Sequence, residues 1–169
     1  MPTLWTIGHS THPIGEFVDI LNAHGVMTVV DVRRFAGSRR NPQFNPTSLE
    51  RSLARAGIVY RAMPELGGRR APRPDTPHTA WRNEAFRGYA DYMDTPAFAR
   101  AAKRLATLAT RTRAVIMCAE AVWWRCHRSM IADYFKANGW EVLHIAGMGE
   151  AKEHPYTPVA KIVRGRLVY

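Results

Sequence analysis

Cys118, Glu120, Cys126, His127 and Arg128 lie within eleven residues of one another, and both cysteines of the chain are among them. An apolar run, Val115-Ile116-Met117, leads into the first thiol. A short aromatic loop follows, and the second thiol, an imidazole and a guanidinium stand where an apolar-periodic helix begins. A thiol at a helix start beside Arg125, His127 and Arg128 favours its ionised form, so Cys126 is a candidate nucleophile or redox thiol. Cys118 ends a strand and reads first as packing. Glu120 is a candidate general base or acid, its pKa set by burial and nearby arginines.

Three other stretches carry groups of the same kind. His9 and Ser10 follow an apolar run and a glycine, where an imidazole can shuttle a proton or donate to a phosphate. Asp31 ends another apolar run and is the second candidate acid or base; it can also hold Arg33 or Arg128 in a paired fork. Arg33, Ser38, Arg39 and Asn41 sit in a basic loop broken by Gly, Pro and Asn, a plausible cradle for an anion. Each has a plainer reading: an acid that orders an arginine, a satisfied histidine, a solvated basic loop. Cys118 and Cys126 are eight apart, unlike the close pairs of structural zinc sites, so neither a metal nor a cofactor is expected. No Walker loop or Gly-x-Gly-x-x-Gly pattern occurs.

These residues must be positioned by the elements around them. Leu4–Ile7, Met27–Val32, Ile58–Tyr60, Ala114–Cys118 and Trp140–Ile145 read as strands; the second is β-branched and nearly continuous, as in a strand covered on both faces. Helical spacing of Phe17, Ile20 and Leu21, of Leu49, Leu53 and Ala56, of Phe86, Tyr89, Ala90 and Met93, of Phe98 to Ala109, and of Met130 to Phe135 separates them. Asn45 or Thr47 can cap the second helix, and Pro96 can start the fourth. Pro64 to about Trp81 is long for a structureless connection, the mark of a lid or binding loop. Ile162 to Val168 reads as a small hairpin turning near Gly165. Alternating β and α predict one α/β domain over 1–169, a sandwich with a mainly parallel sheet of about five strands and that C-terminal hairpin. Ligands of such sheets bind outside the carboxyl ends of the strands, and nearly every residue singled out above falls there.

The chain is strongly basic: 24 Lys+Arg against 14 Asp+Glu give a net charge of +10, which favours phosphates, nucleic acid or other polyanions. No apolar run approaches the ~18 residues of a membrane span, and the start lacks the pattern of a secretory signal. The expectation is a cytoplasmic protein that does not engage a membrane and keeps its cysteines as thiols.

Taken together, Thr6-Ile7-Gly8-His9-Ser10, Asp31-Val32-Arg33 with Ser38-Arg39, Leu66-Gly67-Gly68, and Cys118-Ala119-Glu120 with Cys126-His127-Arg128 resemble the domain of unknown function 488 family. The family usually has a proline shortly after its Asp-x-Arg, and this chain has Ala36 there. The resemblance implies a compact α/β domain and no established activity. The functional expectation is a strand-end cleft for a phosphorylated small molecule or nucleic acid, with Arg33, Arg39 and Arg128 holding anionic groups, assisted by Ser10, Ser38 and His127. Glu120 or Cys126 would act on the ligand, with His9 and Asp31 assisting. A non-catalytic nucleic-acid-binding module and a thiol redox sensor are the rival readings. If the sheet is parallel with these loops at one edge, His9, Asp31, Arg33, Cys118, Glu120, Cys126 and Arg128 should line one cleft.

Overall fold

A computed structural model describes residues 1–169. Strands β1 (Thr3–Gly8), β2 (Thr28–Asp31), β3 (Val59–Ala62), β4 (Ala114–Cys118) and β5 (Glu141–Ile145) form a parallel sheet, and a two-residue strand, β6 (Lys152–Glu153), adds to β5 in antiparallel sense. The order across the sheet is β3-β2-β4-β1-β5-β6. This is the α/β architecture the alternation predicts, with one short strand more than the apolar runs reveal. Residues Lys161–Val163 (β7) and Arg166–Val168 (β8) make the terminal hairpin. Its turn is Arg164-Gly165, both at positive φ (52° and 75°), the twist that a two-residue hairpin loop demands.

Helices α1 (Ile14–Ala23) and α2 (Pro46–Arg55) cover one face of the sheet; α3 (Glu84–Met93), α4 (Pro96–Arg111) and α5 (Arg128–Ala137) cover the other. Strand side chains alternate between the two layers. Val115 and Met117 of β4 pack with Phe17, Leu21 and Leu49, while Ile116 and Cys118 pack with Phe98, Met130 and Ile131. All five residues of β4 are buried, as a parallel strand with both faces covered requires. Asn45 is the N-cap residue of α2, but its side-chain oxygen accepts the Ser38 N–H at 2.7 Å instead of capping the helix, so it ties down the basic loop.

Between β3 and α3 runs the long connection. It makes one tight 3₁₀ turn at Pro64–Leu66 and then lies against α3. Asp91 of α3 accepts from the Arg73 N–H at 2.8 Å and the Thr76 hydroxyl at 2.6 Å, and a Cβ on Gly88 would stand 1.8 Å from the Arg70 carbonyl oxygen. The loop is thus fastened along its length. It delivers Gly67, Gly68 and Arg69 to the carboxyl ends of the strands.

Topology decides where those ends open. β1 and β2 lead to helices on one face, whereas β4, which lies between them, leads to α5 on the other. Neighbouring loops therefore part at the end of β4, and this switch point is where an open parallel sheet forms a crevice.

Candidate functional site

The crevice is a cleft of about 290 Å³. Cys118, Cys126 and His127 contribute to its floor, Ala85 and Phe86 of α3 add apolar wall, and Arg33, Arg34, Arg69, Arg125 and Glu120 supply charge. Phe35, 62% exposed, stands between the Arg34 and Arg69 guanidinium groups, 5.3 and 5.8 Å from its ring centre.

Asp31 and Arg33 flank the end of β2 and pair side by side. Arg33 Nε donates to Asp31 Oδ1 at 2.8 Å and Nη2 to Oδ2 at 2.7 Å. The Arg33 backbone N–H and the Tyr60 hydroxyl complete the carboxylate's shell, at 3.1 and 2.6 Å. Both partners are buried, 8% and 1% exposed, so the pair needs every one of these bonds to offset its desolvation. Burial works against the Arg33 charge, but the Asp31 bonds outweigh it and its pKa is raised.

His9 lies behind this pair and is not part of the cleft lining. Its Nδ1–H donates to the Ser10 carbonyl at 2.8 Å, which leaves Nε2 to accept from Arg33 Nη1 at 3.3 Å. The ring stacks on Phe44 at 4.2 Å. Burial holds His9 neutral, its pKa pushed down to about 4. Ser10 takes a positive φ of 48° as the chain turns out of β1.

The loop after β4 folds back over the end of β1. A Cβ on Gly8 would come within 1.7 Å of the Glu120 carbonyl oxygen, so only glycine admits this approach. Glu120 itself is exposed and its carboxylate forms no ion pair. Arg128 holds the same loop from beneath. Its Nη2 donates to the Glu120 and Ala121 carbonyls at 3.0 and 3.4 Å, and its Nη1 to Thr6 Oγ1 at 3.4 Å. Arg128 is 1% exposed, has no carboxylate beside it, and its Nε lacks a partner.

Cys126 and His127 close the floor. His127 Nε2–H donates to the Val32 carbonyl at 3.0 Å, which ties the start of α5 to the end of β2. Nδ1 is then a free acceptor 3.3 Å from Cys126 Sγ. A Cβ on Gly68 would lie 2.9 Å from that same Nδ1, so glycine here leaves room for the imidazole. Burial pushes His127 down to about 4. The two thiols settle their charge between themselves. Burial opposes ionisation of Cys118, yet the neighbouring Cys126 thiol and the Arg128 charge bring it below the ordinary thiol value. The neighbouring Cys118 and burial push Cys126 well above it. The sequence reads Cys126 as the candidate nucleophile; in the structure its Sγ accepts the Arg128 N–H at 3.5 Å and faces His127 Nδ1, while Cys118 Sγ donates to the Glu120 carbonyl at 3.7 Å.

Of the seven residues expected in one cleft, Arg33, Cys118, Glu120 and Cys126 line it, with His127 beside them. Asp31, His9 and Arg128 lie behind, as supports of the lining. Ser38 sits in the loop beyond, where its hydroxyl accepts from the Asn41 N–H at 3.1 Å, and Arg39 is exposed; neither lines the cleft. Arg34, Phe35 and Arg69 reach the cleft without having been singled out individually, and Arg125, read only as a neighbour of the Cys126 thiol, reaches it too.

Behind Arg128 runs a buried polar chain that no motif announces. Thr6 Oγ1 meets His144 Nδ1 at 2.6 Å, His144 Nε2 meets His154 Nδ1 at 2.9 Å, and His154 Nε2 meets Asp133 Oδ1 at 2.7 Å. Asp133 also accepts from the Thr157 backbone and hydroxyl and from the Tyr169 hydroxyl at 2.8 Å. A guanidinium can only donate and a carboxylate can only accept. With one proton on each imidazole, the carboxylate end orders the donors: His154 Nε2–H to Asp133, His144 Nε2–H to His154 Nδ1, and the Thr6 hydroxyl to His144 Nδ1. Trp123 stacks on His144 at 4.8 Å, and burial, then the neighbouring His154 and Arg128, push His144 down to about 2. The one signal in the sequence is Asp133, an acid in the buried stripe of α5 between Met130 and Phe135.

An open parallel α/β sheet with a polar cleft at its switch point is a ligand-binding frame shared by many chemistries. A family described as domain of unknown function DUF488 matches residues 13–135, most of the chain, and the protein belongs to that family. No curated protein and no solved structure matches it. No helix is long and apolar enough to cross a membrane.

Proposed function

We propose that the cleft binds a small phosphorylated ligand and that the protein is an enzyme acting on it. The observation that carries this reading is the convergence of Arg33, Arg34, Arg69 and Arg125 on a cleft whose floor holds two thiols and whose rim holds an unpaired carboxylate. The cleft has the size of a site for a small molecule, not of a track for a strand. Arg34, Arg69 and Arg125 form no carboxylate pair within the chain; Arg34 uses Nη1 on the Arg69 carbonyl at 2.9 Å, and the donors left over remain for an anion. Arg33, whose other donors go to Asp31, Phe44 and His9, adds a fixed positive charge and one remaining Nη1 N–H beside them. Glu120 is the group on the rim able to take or give a proton, and Cys118 is the sulfur best prepared as a nucleophile.

Calorimetric titration with inorganic phosphate and pyrophosphate tests the anion site. Arg34→Ala and Arg125→Ala should each weaken binding about tenfold, the weight of one charge-assisted contact. Undiminished binding in both variants would move the site elsewhere.

A nucleic-acid reading draws on the exposed Phe35 between two arginines and on Trp124, 56% exposed on the loop after β4. Such rings stack bases. Fluorescence anisotropy with a single-stranded oligonucleotide over a range of salt separates the readings: each phosphate contact adds about −0.7 to the slope of log affinity against log salt. Phosphate binding without oligonucleotide binding leaves the small-ligand reading alone.

A further inference from the structure

Two thiols share one floor, and neither is in a disulfide. They reach it from the two ends of one loop: Cys118 is the last residue of β4, and Cys126 stands one residue before the N-cap of α5. Both pack in the same buried cluster, and their residues are only 2% and 7% exposed. Both also line the cleft, so a small molecule inside it reaches the sulfurs. We infer that Cys118 and Cys126 are a redox couple that reduces a hydroperoxide and closes as an intramolecular disulfide across the cleft floor.

The groups around the sulfurs assign the roles. Cys126 has a proton acceptor of its own in His127 Nδ1, 3.3 Å from its sulfur, whereas Cys118 faces the buried charge of Arg128, which has no carboxylate to neutralise it. Cys118 is the thiolate that attacks. Its sulfur bonds to the distal oxygen of the hydroperoxide, the O–O bond breaks, and the leaving alkoxide or hydroxide takes a proton from water in the cleft. Cys118 becomes a sulfenic acid. Cys126 then needs to lose its proton, and His127 Nδ1 lies 3.3 Å from its sulfur as an unprotonated acceptor, its other nitrogen held by Val32. The Cys126 sulfur attacks Cys118, the S–S bond forms, the S–O bond breaks, and the departing hydroxide takes the proton from His127 and leaves as water. Two thiols and one hydroperoxide yield one disulfide, one alcohol or water, and one water. The thiols are oxidised by two electrons and the O–O bond is reduced by two. Because His127 is a weak base in this setting, it holds the proton only in passage.

The experiment takes the full chain, reduced, in buffer free of phosphate and other polyanions. Hydrogen peroxide is added in stoichiometric amount, remaining thiols are alkylated, and the protein is read by intact and peptide mass spectrometry. Both thiols should disappear together, with the loss of two hydrogens from a monomeric chain. Trypsin cuts after Arg125, so the product should be two peptides joined through Cys118 and Cys126 and separated again by a dithiol. In Cys126→Ser the reaction should stop at a Cys118 sulfenic acid that dimedone captures. In Cys118→Ser, Cys126 should stay unoxidised at the same dose. Limited alkylation of the unmodified protein, which needs no variant to fold, should label Cys118 before Cys126. Two thiols still alkylatable after peroxide, a cross-link between chains, or Cys126 oxidised first would each overturn the couple. No anionic ligand enters this assay, so its failure leaves the phosphate site standing, and failure of the arginine variants leaves the couple standing.

Discussion

Asp31 and Arg33 are two residues apart in sequence and meet through two parallel side-chain bonds of 2.7 and 2.8 Å, with Tyr60 and the Arg33 backbone on the same carboxylate. One strand end thereby carries both the charge that faces the cleft and the countercharge that keeps it there. Removing Asp31 leaves a buried guanidinium unpaired. Asp31→Ala should lower unfolding stability by about 3–5 kcal/mol in denaturant melts.

Glu120 is the contrasting acid. Its carboxylate is exposed and forms no ion pair, so Glu120→Ala should change stability by no more than about 0.5 kcal/mol. Any catalysis on a bound ligand should suffer nonetheless. Melts and ligand turnover measured on the same preparation separate the two effects.

The buried chain behind Arg128 should fail at its anionic end. Asp133 accepts from four donors, and an amide in its place turns one acceptor into a donor facing a donor. Asp133→Asn should cost about 2–3 kcal/mol or more, since buried donors are left unmatched. Imidazole nitrogen spectra should show His154 and His144 changing together, because each fixes the other's tautomer. A melt unchanged from the parent protein would contradict the chain as drawn.

Acid should unfold this protein through its histidines. His9 and His127 titrate near 4 and His144 near 2 in the folded state, against 6.5 when unperturbed, each because burial disfavours the imidazolium. The unfolded chain therefore binds more protons than the fold between those values. Stability from these groups is fully present above about pH 6.5 and is lost as pH falls from there toward 4. Melting temperature measured across that window should drop steadily, and His144→Gln should flatten part of the slope if the variant folds.

Gly8 offers a steric test. Its missing Cβ would overlap the Glu120 carbonyl oxygen, which is backbone and cannot swing away. Gly8→Ala should either push the Glu120 loop off the end of β1 or destabilise the fold by more than about 3 kcal/mol. Gly15, with open space around it, should tolerate alanine, and hydrogen exchange over residues 119–125 distinguishes the outcomes.

Much of the frame was legible in the sequence. Apolar runs locate β4 and α5 because a strand covered on both faces and a helix with one apolar stripe leave unlike periods. The helix starting at Arg128 is where the spacing puts it. Sheet order was not legible: nothing local says that β4 slips between β1 and β2, yet that insertion is what brings Arg33 to Cys118. The relative acidity of the thiols was not legible for the same reason, since it depends on how the two sulfurs, His127 and Arg128 are arranged in space. Arg34 and Arg69 were hidden among 24 basic side chains, most of them without any part in the cleft. Thr6, Asp133, His144 and His154 come from three parts of the chain, and only the buried position of Asp133 on its helix hints at a partner.

The place of β1 has a consequence for how the chain comes to be folded. It is made first, yet its two neighbours, β4 and β5, emerge only after residue 113. During synthesis its backbone groups wait without their ladder while more than half the chain is added. Pairings of such long sequence separation are slow to form and leave an apolar strand open to other chains in the meantime. A ribosome-bound chain stopped before β4 should therefore expose Leu4 and Ile7 to chaperones, and release of the last third should bury them in one late step.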